Sequence, residues 1–190
     1  HFALGPPLFF LGMFAAAQEH LERGLTLYDP QKHSSRAVQD AGVASLAYGA
    51  WTLWFRGYPD QALERSHKAI LLAQELDHPY SLAFALNFAA IVHQFRRERQ
   101  AAQEQAETAI ALSTEQGFTL WLAQGTVTQG WGLVEREQEV GIARIRQGLA
   151  AWRATGAEVG QPYYLALLAE AYGNTGQVEA GLSALADALV

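Results

Sequence analysis

The sequence predicts an all-α fold: a right-handed solenoid of about five helix-turn-helix repeats, each roughly 40 residues long. Three observations carry that expectation. A pattern of small residues recurs five times, a second set of positions recurs in step with it, and the prolines fall in the gaps between the segments so defined. The composition agrees. The chain is rich in Ala, Leu, Gln and Glu and poor in the β-branched residues Val, Ile and Thr, which favours helix over strand.

The recurring pattern is a small residue, another small residue seven later, and then an apolar one. It reads Ala17/Gly24/Leu25, Ala62/Ala69/Ile70, Ala102/Ala109/Ile110, Gly141/Gly148/Leu149 and Gly181/Ala188/Leu189. The first residues are 45, 40, 39 and 40 positions apart. Seven residues are close to two helical turns, so both small residues lie on one face and let a neighbouring helix come close. Five positions before each anchor stand Gly12, Gly57, Arg97, Arg136 and Gly176, where a preceding helix should turn. Twelve before it stand Gly5, Ala50, Ala90 and Ala169; in the fourth repeat Gly130 takes this place if one residue is missing from the turn. A non-repetitive bundle would need these coincidences to arise by chance in an alanine-rich chain.

In chain order, the pattern predicts helices over 7–12, 14–28, 38–56, 60–76, 80–96, 98–116, 118–136, 139–154, 162–174 and 177–189. Pro30, Pro59, Pro79 and Pro162 lie between them, where a missing amide donor is tolerated. Pro6-Pro7 fit less well and imply a truncated or kinked first helix. The whole chain, 1–190, reads as one repeat array. It begins at His1 without a Met, which points to a fragment of a longer protein.

Charge and composition narrow the partners. A net charge of −6 does not suit a phosphate-neutralising surface, so no nucleic acid is expected. Arg96-Arg97 and Arg99 are interrupted by Glu98 and read as a solvated helix end. No apolar run reaches the ~20 residues of a membrane span, and the best, Phe2 to Ala17, is cut by Gly5, Pro6, Pro7 and Gly12. The chain has no cysteine, which excludes disulfides and thiol chemistry and suits a reducing, cytoplasmic setting.

The last unit, Ala169-Glu170-Ala171-Tyr172-Gly173-Asn174-Thr175-Gly176-Gln177-Val178-Glu179-Ala180-Gly181, resembles a tetratricopeptide repeat. It has the small residue, the Tyr three later, the turn Gly and the small residue opening a second helix. A wider resemblance runs through Leu25-Thr26-Leu27-Tyr28-Asp29-Pro30, Trp51-Thr52-Leu53-Trp54, Gly57-Tyr58-Pro59-Asp60-Gln61-Ala62 and His78-Pro79. It continues in Thr114-Glu115-Gln116-Gly117-Phe118, Gly130-Trp131 and Ala151-Trp152-Arg153-Ala154-Thr155-Gly156-Ala157-Glu158. These are similar to the C-terminal repeat region of bacterial adenylate/guanylate cyclase-type multidomain ATPase signalling proteins. The stretch from His33 to Asp40 is shorter here than that family's pattern, as though a few loop residues were missing. The resemblance implies a regulatory or sensory module, not an enzyme.

The residues agree. No glycine-rich loop ends in Lys and Ser or Thr, so no phosphate cradle is expected, and no cofactor. The histidines His1, His20, His33, His67, His78 and His93 include no pair at metal-ligand spacing, so no metal is expected. Glu135 and Glu139 are spaced for one helix face, and solvation explains them.

In tetratricopeptide-like arrays the first helix of each pair lines a concave groove. Counting back from the small anchors places Trp51, Ile91 and Trp131 on that face, together with Trp54, Phe84, Asn87, Gln94, Gln124, Val127, Tyr163 and Glu170. Trp121 and Trp152 lie off it and read as core. The expected function is a noncatalytic interaction scaffold or regulatory module holding a peptide, a protein segment or a neighbouring domain, with self-association through terminal repeats also open. The alternative is a small-molecule sensor controlling an attached ATPase or cyclase.

Overall fold

The computed structural model of the protein describes residues 2–30 and 38–189. Among these residues there are ten α-helices and no strand. A 3-10 turn, Phe2–Leu4, leads into α1 (Gly5–Phe10), α2 (Phe14–Thr26), α3 (Ala41–Phe55), α4 (Pro59–Glu75) and α5 (Pro79–Phe95). There follow α6 (Arg99–Gln116), α7 (Thr119–Leu133), α8 (Gln138–Ala154), α9 (Gln161–Asn174) and α10 (Val178–Ala188). The chain divides into two compact units, His1–Arg97 and Glu98–Val190. Most of the stretch from His33 to Asp40, where the resemblance implies a few missing loop residues, lies outside the described residues.

Each helix expected from the repeat is present, and the ends differ for local reasons. Pro6 and Pro7 open α1, where the missing amides would have had no intrahelical partner, so they begin that helix instead of breaking it. The helix is short because the chain turns at Leu11 and Gly12. Asp40 delays α3, because its carboxylate caps the first turn.

The turns inside the hairpins follow the second register. Gly12, Gly57, Arg97 and Gly176 have φ of +74°, +86°, +62° and +74°. At Gly57 the turn closes with Gly57 N–H donating to Trp54 O and Tyr58 N–H to Leu53 O, both at 2.9 Å, which satisfies two carbonyls at the helix end. The fourth turn is built differently. Arg136 and Glu137 both donate to Leu133 O, at 3.0 and 2.9 Å, with no left-handed residue. Gly130 stands in register because the stretch from it to Gly141 is one residue shorter than the corresponding stretch of the other repeats.

Small residues set how closely the paired helices approach. Ala50, Ala62 and Ala69 in the first unit and Ala102 and Ala109 in the second are fully buried. Between α7 and α8 alanine would be too large. A methyl group at Gly130 would lie 2.7 Å from Gly141 O and Ile145 N, and one at Gly148 would lie 2.7 Å from Val127 N. Ala50, Leu53, Ala62 and Val92 form a core in the first unit, with Trp51, Trp54 and Leu63 packed against it.

A buried polar knot pins the first unit. Asp40, fully buried, accepts from Val43 N–H at 2.9 Å and from the Tyr28 hydroxyl at 2.8 Å. Its own N–H donates to Ser81 Oγ at 2.8 Å, and Ser81 N–H donates to His78 Nδ1 at 3.2 Å. The Tyr28 ring fills the space over Gly42, where a methyl would meet ring carbons at 2.6 Å. Burial, and then the bond to Asp40, push the Tyr28 phenol well above its ordinary pKa.

Candidate interaction surface

In the first unit, helical spacing lines up aromatic residues on successive helices. Tyr48, Trp51 and Phe55 lie three and four residues apart on α3, and Phe84, Phe88 and Phe95 lie four and seven apart on α5. The Trp51 indole stacks on Phe88 at 3.8 Å with 9° between planes, and its Nε1–H donates to Phe88 O at 3.0 Å. Trp54 stacks on Phe95 at 5.6 Å and Phe14 on Phe55 at 5.0 Å. Phe9 of α1 reaches Trp51 at 5.9 Å and Phe55 at 5.6 Å, and Tyr48 meets Phe88 edge-on at 4.9 Å. Each such pair is worth about 0.5–1.5 kcal/mol beyond the area it buries, so the arrangement is well held. It is only partly covered. Phe10 and Phe55 are about half exposed, at 51% and 49%, and Tyr48, Trp51 and Trp54 are half-buried. Burial pushes the Tyr48 phenol up to about 12.

The second unit replaces this aromatic face with a charged one. Trp131 is buried, and its Nε1–H donates to Glu170 Oε1 at 3.1 Å. The Arg99 guanidinium sits 4.2 Å from the Trp131 ring centre and donates to Trp131 O at 2.7 Å. The same guanidinium pairs with Glu135 at 3.2 Å and Glu170 at 3.5 Å.

The expected groove residues therefore separate. Trp51, Trp54, Tyr163 and Glu170 keep accessible surface. Phe84, Asn87, Ile91, Gln94, Gln124, Val127 and Trp131 are buried, so their expected place as groove-lining contacts is corrected. The reason is that α5 and α7 are enclosed on nearly every side, with buried runs from Ala83 to Gln94 and from Ala123 to Thr128. Asn87 also spends a donor internally, on Ala83 O at 2.8 Å. Trp131 is as enclosed as Trp152, at 1% and 6% exposure, although only Trp152 was expected in the core. Trp121, also expected in the core, is buried.

Several residues of the surface escaped the repeat count: Phe10, Phe14, Tyr48, Phe55, Phe95 and Arg99. The aromatic ones on α3 and α5 carry a readable signal in their helical spacing. Arg99 carries none, because its partners Trp131, Glu135 and Glu170 are all more than 30 residues away in sequence.

Clefts indent the second unit among its described residues. One, of about 520 Å³, lies among α6, α7 and α8 and is lined by Ile110, Leu122, Arg144 and Gln147 with several threonines. The Thr114, Thr126 and Thr155 hydroxyls along it already donate to carbonyls of their own helices. Another, about 310 Å³, lies among α8, α9 and α10. Among the described residues no group of three or more metal-ligating side chains comes together. No described helix is long and apolar enough to cross a membrane.

No family model matches the chain, and neither does any curated protein sequence. Solved structures do share its fold. A Podosopora anserina kinesin light chain candidate with nearly identical TPR-like repeats aligns with a TM-score of 0.61 at 17% identity, over 98% of this chain and 90% of its own. BtubC (BKLC) from P. vanneervenii gives 0.64 at 15%, over 97% and 75%. MamA gives 0.52 at 19%, over 97% and 92%. At such identities the likeness is one of fold, and it agrees with the all-α, tetratricopeptide-like solenoid read from the repeats.

Proposed function

We propose that this chain is a noncatalytic scaffold whose first unit holds an apolar peptide or protein segment against the aromatic face of α1, α3 and α5. The observation that carries this reading is the set of half-open rings Phe10, Tyr48, Trp51, Trp54 and Phe55, positioned by ring contacts with Phe9, Phe14, Phe88 and Phe95. Rigid aromatic side chains with exposed edges give contact area at low entropic cost, and aromatic residues are enriched among binding hot spots. The sequence resemblance to cyclase-type signalling proteins supports placing the scaffold as a regulatory module of a bacterial multidomain protein. A small-molecule ligand is the weaker reading, because the larger cleft presents threonine hydroxyls already committed to their own helices.

The test is selection of peptides from a displayed random library on the intact chain, followed by titration against variants. Trp54→Ala and Phe55→Ala are expected to weaken the selected peptides at least tenfold while leaving the helical circular dichroism spectrum intact. Selected peptides indifferent to both substitutions would refute the assignment. The chain is also expected to show no ATP hydrolysis and no cyclic nucleotide synthesis.

A further inference from the structure

The cleft among α8, α9 and α10 gathers opposite charges over an apolar floor. Helical spacing builds two of its walls. Arg146, Leu149, Ala150 and Arg153 form a single stripe along α8, and Ala180, Ser183, Ala184 and Asp187 repeat the same spacing along α10. Leu165, Leu168 and Tyr172 of α9 complete the lining, and the leucines of the cleft are buried beneath its polar rim. Small side chains at Ala150, Ala180, Ser183 and Ala184 leave about 310 Å³ open. The charges here are uncommitted. Among the described residues Arg146, Arg153 and Asp187 make no ion pair, unlike Arg65, Arg96 and Arg99, and the Tyr172 and Ser183 hydroxyls make no hydrogen bond. The larger cleft differs in this respect, since its threonines bond to their own helices and its Arg144 donates to Gln147.

We propose that this cleft binds a free α-amino acid with an apolar side chain. Its carboxylate is held by Arg146 and Arg153, its ammonium by Asp187, and its side chain lies on Leu149, Leu165 and Leu168. The lining selects this class by complementarity. A guanidinium fork suits a planar carboxylate. A phosphate or dicarboxylate would set its second negative charge against Asp187, and a fatty acid would leave Asp187 unmatched. The volume stands at the lower end of the ~300–1,000 Å³ of ligand pockets, which restricts the occupant to amino-acid size. The three charged side chains are exposed, and exposed ion pairs contribute little, so a dissociation constant of roughly 0.1–1 mM is expected. The site shares no residue with the aromatic face of the first unit, and either can fail without the other.

The probe is tritiated L-leucine, equilibrated by dialysis against the full chain, with L-leucinamide and N-acetyl-L-leucine as competitors. Saturable binding is expected, with each competitor roughly fivefold weaker or more than unlabelled leucine, since one lacks the carboxylate and the other the ammonium. Asp187→Asn should weaken leucine and bring N-acetyl-L-leucine level with it. Arg146→Gln combined with Arg153→Gln should do the same for the amide. These side chains are exposed, so the melting temperature should not move. Ser183→Leu fills the cleft and changes no charge; it should abolish binding, and it keeps the test valid if a charge variant perturbs the fold. No saturation in the millimolar range, or binding indifferent to all these substitutions, would overturn the proposal. Equal binding of leucine and N-acetyl-L-leucine by the unaltered chain would overturn it too, because the cleft would then take the end of a peptide.

Discussion

Adding one methyl group at Gly148 tests whether the small-residue repeat sets the distance between helices. The new Cβ would lie 2.6 Å from Val127 Cγ2, 2.7 Å from Val127 N and 2.9 Å from Ala123 O. Two of these neighbours are backbone atoms, so no side-chain rotation relieves them. Reaching an ordinary contact of about 3.4 Å means moving α8 from α7 by roughly 0.7 Å, an overpacking that costs about 1–3 kcal/mol. Against this, replacing a helical glycine by alanine gains about 0.5–1 kcal/mol of backbone entropy. Gly148→Ala is therefore expected to destabilise the chain by up to about 2 kcal/mol. Gly173→Ala in α9 is the control, since a methyl there meets nothing within 4 Å. It should stabilise by about 0.5 kcal/mol. The assay is urea unfolding followed by tryptophan fluorescence, with Trp121, Trp131 and Trp152 reporting on the second unit, alongside thermal melts. A difference of about 1–3 kcal/mol corresponds to several degrees in a chain of this size. If Gly148→Ala proves as stabilising as Gly173→Ala, close packing at the anchors is not what the repeat encodes.

Three further predictions probe other parts of the structure. Trp131→Ala is expected to cost about 3–5 kcal/mol, as much as Trp152→Ala, and more than Trp54→Ala, whose ring is half-exposed; melting curves for the three check the order. Arg97→Gly should stabilise by about 1 kcal/mol, because Arg97 holds a left-handed backbone conformation with φ of +62°, and chemical denaturation measures it. Tyr48 has a folded-state pKa raised to about 12, so its contribution is complete below pH ~10 and is lost as the pH rises through 12. About 2–3 kcal/mol should disappear over that window, and Tyr48→Phe should retain it in alkaline urea titrations.

The fold was legible in the sequence because it rests on one-dimensional features. Alanine or glycine at fixed intervals, turn residues five before them and prolines in the gaps locate the helices without knowledge of what touches what. Even the irregular fourth turn was visible, as the one-residue offset of Gly130. The interaction surface was only half legible. Periodicity identified one face of each first helix, but it does not say whether another layer covers that face. Trp51 and Trp131 hold matching repeat positions, yet Trp51 is half-buried on Phe88 while Trp131 lies under the Arg99 guanidinium. That cover comes from a residue 32 positions earlier, and no local spacing announces it.

The buried knot around Asp40 bears on how the first unit comes apart. Repeat arrays whose neighbours meet only through apolar surface can fray from an end, each hairpin melting at its own free energy. Here the segment after α2, the cap of α3 and the first turn of α5 share one carboxylate and its amide through Tyr28, Val43 and Ser81. Detaching Tyr28 leaves a buried carboxylate short of a donor, a penalty that falls on the following hairpin and not only on the one that opened. Nearest-neighbour coupling of this kind raises the cost of a boundary between folded and unfolded repeats. Hydrogen exchange at Val43 and in the first turn of α5 should then report a single opening event, and Tyr28→Phe should split it into two.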